Sequence, residues 1–293
     1  GWMPIDGRDV DWSAALQNAS TAAKVVVLAA TEADLAAIVG ERRVLGRAID
    51  LVAYAVMQNH YHVVIRVDRK RAHGWSDEEV CRRWGALFNV PPELDARLFV
   101  PVWRKRLFSI SWFMRCANEP IARKANAEDE CSGRFWEGRF RLQALLDDLA
   151  LYKCMVYVDL NPIRAGIVDV PELSTHTSVR ARIDRRDGHL VPFVDQGADR
   201  REPLPLRRDE YLELVDWTGR LVRPDKHGFI PADAPALLER IRIGEGHWQR
   251  EIRHYGKWYY RAVGSINALE RYCAHLRQHW LKGMSHSRPE PAT

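Results

Sequence analysis

Between Asp50 and Val67 the chain carries two runs of apolar and β-branched residues, DLVAYAVM and HYHVVIRV, separated only by Gln58 and Asn59. So short a break between two strand-like runs predicts a β-hairpin. The second run constrains the chain most, because it places two imidazoles one residue apart. Successive side chains of a strand alternate faces, so His60 and His62 share one face while Tyr61, Val63 and Ile65 share the other and can enter a core. Two imidazoles side by side on a sheet face make a clamp for a divalent cation. Two half-exposed surface histidines would read the same way, so the pair needs partners from elsewhere in the sequence.

The surrounding pattern predicts an α+β fold. Lys24 to Ala30 reads as a short buried strand. Thr31 to about Ile49 reads as a helix, with Thr31 as N-cap and Asp34 at the third helical position. After the hairpin, residues from about Asp68 to Pro101 form an excursion that holds a polar helix near Asp77 to Phe88. Ser109 to Asn126 has the apolar spacing of an amphipathic helix, broken or bent at Pro120. Gly133 to Ala144 alternates like a strand, and Asp147 to about Leu160 is again helical until Asn161 and Pro162 stop it. The order predicts a compact antiparallel sheet with helices on one face. Beyond Glu172 the texture turns polar, charged and proline-bearing, which puts a boundary there and divides the chain into residues 1–172 and 173–293. The second part is expected to be mainly helical and basic, a DNA-binding or accessory region that either binds nucleic acid or packs against the first domain.

Charge distribution narrows the class of partner. The 293 residues carry a formal net charge of +5, which is compatible with a polyanion. Between Trp103 and Arg141 the basic residues Arg104, Lys105, Arg106, Arg115, Arg123, Lys124, Arg134, Arg139 and Arg141 are interleaved with Trp103, Phe108, Trp112, Phe113, Phe135, Trp136 and Phe140. Basic side chains hold phosphates and aromatic faces stack on unpaired bases, although core aromatics beneath solvated arginines give the same pattern. From Arg240 to Lys282 basic residues again outnumber Glu245, Glu251 and Glu270, among Trp248, Trp258, Tyr259, Tyr260 and Trp280. Five cysteines without a CxxC pair argue for reduced thiols. No apolar run nears the roughly 20 residues that span a bilayer, and GWMPIDGRDVDW lacks the features of a signal peptide, so a cytoplasmic location without membrane association is expected.

Partners for the histidines come from MVYVDLNPIRAGIV, Met155 to Val168. Tyr157 and Asn161 are four residues apart and stack on one helix face, although Pro162 biases Asn161 away from helical geometry. A tyrosine hydroxyl is a competent nucleophile at phosphorus, and a phosphotyrosine link would conserve the energy of a cleaved phosphodiester. An asparagine oxygen suits a hard cation such as Mg²⁺ or Mn²⁺ and would complete the coordination begun by His60 and His62. A packing tyrosine near a helix end is the alternative reading of the same spacing.

NHYH with VVIRV, then GRFWEGRF, then YVDLNPIRAGIV resembles, in that order and over about Lys24 to Val168, the single-tyrosine HUH transposases, in particular the REP-associated tyrosine transposases. The resemblance implies a ferredoxin-like domain that nicks and rejoins single-stranded or hairpin DNA through a covalent 5′-phosphotyrosine, with a divalent metal as cofactor and a bacterial, nucleoid-associated setting. By resemblance His60 and His62 hold the metal, Asn161 takes the place of the third polar ligand and Tyr157 is the nucleophile. Arg164, and Arg134 and Arg139 in the preceding strand, are then candidate phosphate contacts. The chain departs from the family in Tyr61 between the histidines, in the excursion of residues 68–101 and in the size of the region after Glu172.

Two other classes stay open. A domesticated, catalytically silent descendant would bind DNA or RNA with the same basic and aromatic surfaces. A metal phosphohydrolase of the HxHxH kind would need a third histidine where the chain has Val64. The choice between monomer and homodimer is also open at this stage.

Overall fold

The computed structural model describes residues 22–28, 46–197, 201–222, 238, 240 and 243–287. The helix expected from Thr31 lies mostly outside these residues, and its expected end is already strand. Strand β1 spans Ala22–Leu28, β2 Ile49–Val56 and β3 His60–Val67. The hairpin forms as expected around Gln58 and Asn59, with the Met57 amide donating to the His60 carbonyl at 2.8 Å. Leu51 pairs with Ile65 but Ala53 pairs with Val64, so β2 carries one extra residue against β3. This bulge lets Ile49, Leu51, Tyr54 and Val56 all face the same side of the sheet.

After β3 the excursion builds its own small core. Helices α1 (Arg69–His73), α2 (Asp77–Leu87) and α3 (Val100–Leu107) follow one another. Val80, Trp84, Val100, Trp103 and Leu107 are buried together, and the indoles of Trp84 and Trp103 stack 5.4 Å apart. Helix α4 (Ile110–Glu128) starts at Ser109, whose hydroxyl accepts from the Trp112 amide at 3.3 Å. It runs through Pro120 without a break, at the loss of one helical N–H donor.

Strand β4 is Arg141–Leu145 only. The alternation that suggested a strand from Gly133 belongs to a loop. Gly133 sits at φ 126°, outside the range of a strand, and Phe135, Trp136 and Phe140 all pack toward the α4 side of the sheet instead of alternating across it. Trp136 fixes the loop by donating from its indole nitrogen to the Asn118 carbonyl at 3.0 Å.

Helix α5 (Asp148–Asp159) is capped by Asp147, whose Oδ1 accepts from the Ala150 amide at 2.8 Å. Nearly all of its residues are buried, as expected of a helix apolar around its whole circumference. A short helix α6 (Asn161–Arg164) follows directly. The remaining elements used below are α7 (Ser178–Ile183), α8 (Arg208–Val222), α9 (Glu245–Trp258), β5 (Ala262–Val263) and α10 (Ile266–His275).

The strands form one sheet in the order β2-β3-β1-β4-β5, antiparallel except for the parallel β4–β5 pair. Both faces are covered, not one. On one face Tyr61, Val63 and Ile65 pack with Phe113, Met114, Ala117 and Ile121 of α4. On the other, Val52, Ala55 and Val64 pack with α5 and with Leu214, Trp248, Ile252 and Tyr255 from α8 and α9. A single buried cluster therefore joins residues from both sides of Glu172. Its polar node is Asp159, fully buried, which accepts from the Ser178 and Tyr211 hydroxyls and from the Val179 amide. Buried Arg182 lies 3.9 Å from the same carboxylate and donates to the Val52 carbonyl at 2.8 Å, tying β2, α5, α7 and α8 together. Among the described residues no helix is long and apolar enough to cross a membrane.

Candidate active site

Alternation along β3 places the His60 and His62 rings on the face covered by α5, with centroids 4.9 Å apart and planes nearly perpendicular. His62 is 5% exposed and His60 half-buried. The Asn59 side-chain oxygen lies 2.7 Å from Nδ1 of His60. That oxygen can only accept, so Nδ1 carries the proton and the lone pair resides on Nε2. Tyr61, between the two histidines, points through the sheet. Its hydroxyl donates to Asn118 Oδ1 on α4, and its ring meets Trp136 edge-on at 6.2 Å. One strand thus carries the histidines on one side and their anchor on the other.

Helix α5 brings Tyr157 to the histidine face, its ring 6.3 Å from that of His62 and at 81° to it. Burial pushes the Tyr157 hydroxyl above the usual 10.0, and the nearby Arg164 guanidinium pulls part of the way back. Asn161 is buried, and its side-chain nitrogen donates to the Tyr157 carbonyl at 2.9 Å, which leaves Oδ1 as its acceptor atom. Two imidazoles and one amide oxygen are a donor set that could hold Mn²⁺ or Mg²⁺ with positions left for phosphate oxygens. Among the described residues no group of three or more His, Cys, Asp or Glu side chains offers a metal site.

Arg164 is half-buried and braced against α9. Its guanidinium lies 5.0 Å from the Tyr157 ring centre and donates to the Ile252 and Arg253 carbonyls of α9, both at 3.1 Å. Arg134 and Arg139 are exposed on the loop before β4 and not on a strand. That loop enters the sheet beside the site. Val26 of β1 pairs with His62 on one side and with Arg141 on the other, so β4 begins two strand spacings, about 10 Å, from His62.

Sequence spacing gave no sign of the third wall of the site, which comes from α9. The Tyr255 ring stacks on that of Tyr157 at 4.7 Å and 28°, and its hydroxyl donates to Gln143 Oε1 of β4 at 2.9 Å. A Cβ built at Gly256 would stand 2.9 Å from the Tyr157 hydroxyl. About 100 residues separate these groups from Tyr157 in the chain, and RHYGKWYY reads in isolation as one more basic, aromatic stretch.

No family model matches the chain, and no curated protein matches it either. One solved structure, described as that of the REP-associated tyrosine transposase bound to a REP hairpin, is similar over 63% of this chain and 89% of its own. The identity is 12% and the TM-score 0.36, a likeness too slight to bear on activity.

Proposed function

We propose that the chain nicks single-stranded DNA and transfers the cut strand, with Tyr157 as nucleophile and a divalent metal held by His60, His62 and Asn161. The observation that carries this reading is the meeting of an HxH pair on β3 with a tyrosine from α5, almost 100 residues later, at a ring separation of 6.3 Å. The strand order β2-β3-β1-β4, antiparallel throughout, supports the ferredoxin-like arrangement that such a site would use.

In the reaction the Tyr157 oxygen bonds to phosphorus, the bond from phosphorus to the 3′ oxygen breaks, and the phenol proton is lost while the departing 3′ oxygen is protonated. The products are a 5′-phosphotyrosine and a free 3′-hydroxyl. Attack by a DNA hydroxyl reverses the link and joins strands, with no need for a nucleotide-binding loop. When bound, the metal supplies charge neutralisation at the non-bridging oxygens of the scissile phosphate. Asn59 orients His60, and Arg164 holds positive charge against the Tyr157 ring, where it favours the phenolate. Exposed Arg134 and Arg139 would take the flanking phosphates.

The test is incubation with end-labelled single-stranded and hairpin DNA in Mg²⁺ or Mn²⁺, followed by denaturing electrophoresis. A protein-linked label is expected, absent with EDTA and absent in Tyr157→Phe, which should bind DNA within about threefold of the parent. The burial of the Tyr157 hydroxyl against α9 favours a second reading, a DNA-binding descendant without cleavage. Tight binding with no adduct in any arm would decide for it.

A further inference from the structure

Three features of α9 meet at Tyr157 or one turn from it. The first is a glycine inside a helix, where it is the poorest former after proline. Gly256 stands where any Cβ would come 2.9 Å from the Tyr157 hydroxyl, so an added methyl must displace that oxygen. The second is a stacked ring pair whose outer member is fixed by hydrogen bonding. Gln143 is a polar side chain buried on the α5 side of β4, and its Oε1 accepts from Tyr255 at 2.9 Å. The third is a lock on helix register one turn earlier. Lys153 and Tyr157 are four residues apart on α5, Glu251 and Tyr255 four apart on α9, and Lys153 forms an ion pair with Glu251. The paired side chains are 8% and 1% exposed, and Glu251 also accepts from the Tyr259 hydroxyl at 2.5 Å. A buried ion pair is poor general glue but a good determinant of register. Arg164 adds two hydrogen bonds from the Tyr157 side to the α9 backbone.

We infer that α9 is the positioning wall of the nucleophile: Tyr255, held by Gln143, fixes the Tyr157 ring, and Gly256 leaves room for its hydroxyl. This rests on Tyr157 being the nucleophile. Residues far along the chain from the histidine and tyrosine motifs then act on the reaction through Tyr157 without touching DNA. The reason for such a wall is geometric, since displacing a reacting atom by about 1 Å can slow a reaction roughly 100-fold.

The experiment is single-turnover adduct formation by the full chain at saturating labelled DNA in Mn²⁺, with DNA affinity and thermal midpoint measured for each variant. Gly256→Ala and Tyr255→Ala should slow the adduct at least tenfold with Kd within threefold, and Tyr255→Phe, which keeps the stacked ring and loses only its tie to Gln143, should recover part of that loss. Recovery by Phe separates positioning from a general loss of fold, and Gly256→Ala tests the same wall with a single methyl. If the parent forms adduct and both alanine variants match it or exceed it, the positioning role fails while the nickase reading stands. If the parent forms none, both readings fall together.

Discussion

At the scale of single residues the decisive group in the proposed reaction is the Tyr157 hydroxyl. Its attacking form is the phenolate, and burial raises its titration above 10.0 despite Arg164. Across pH 6 to 9 the phenolate fraction, and with it the single-turnover rate, should therefore climb about tenfold per pH unit with no plateau. A plateau below pH 8 would show that the attacking group is not a phenol in this setting. The histidines were legible from the strand period alone, because alternation in β3 leaves no choice of face. That Tyr157 and Asn161 lie close together was legible from helical spacing, which says nothing of their roles. Asn59 could have been suspected from its place beside His60, since a short amide side chain there is within reach of the ring. Tyr255 and Gly256 could not, because their role depends on packing between helices whose separation in sequence carries no periodic signal.

At the scale of elements, the loop between α4 and β4 is where the sequence misled. GRFWEGRF alternates in polarity as a half-buried strand would, but Gly133 breaks the extended backbone and the aromatics anchor on one side. The result is a loop pinned by Trp136 and Asn118 on the α4 side of the sheet, with Arg134 and Arg139 exposed. If these arginines neutralise phosphates, Arg134→Ala and Arg139→Ala should each flatten the slope of log affinity against log salt by about 0.7 on single-stranded DNA. Equilibrium binding from 50 to 300 mM salt measures it, and unchanged slopes would remove the loop from the interface. The β2–β3 hairpin and α5 behaved as read, since long periodic runs bounded by a short turn or a cap leave few alternatives. The second covered face was not legible, because the apolar stripe of α4 does not say which side of a sheet it will meet.

At the scale of the whole molecule, Asp159 joins β2, α5, α7 and α8 through groups that are all buried. Removing its carboxylate leaves Arg182 without its ion pair in the interior, so Asp159→Ala should lower stability by about 3–5 kcal/mol. Because one core spans the sheet and the later helices, urea unfolding followed by both tryptophan fluorescence and far-ultraviolet ellipticity should give coincident transitions in the parent, and separate ones would show that the two halves unfold independently. The polar texture after Glu172 marked a change in surface character, and nothing in it disclosed that α8 and α9 return to the first sheet. That return sets an order in time. A chain emerging at about 5–20 residues per second completes the histidines and Tyr157 roughly 5–20 s before α9. Each newly made molecule therefore passes through an interval in which Tyr157 is already synthesised but not yet backed by α9, and in the proposed reaction cutting at full rate follows only once α9 has arrived.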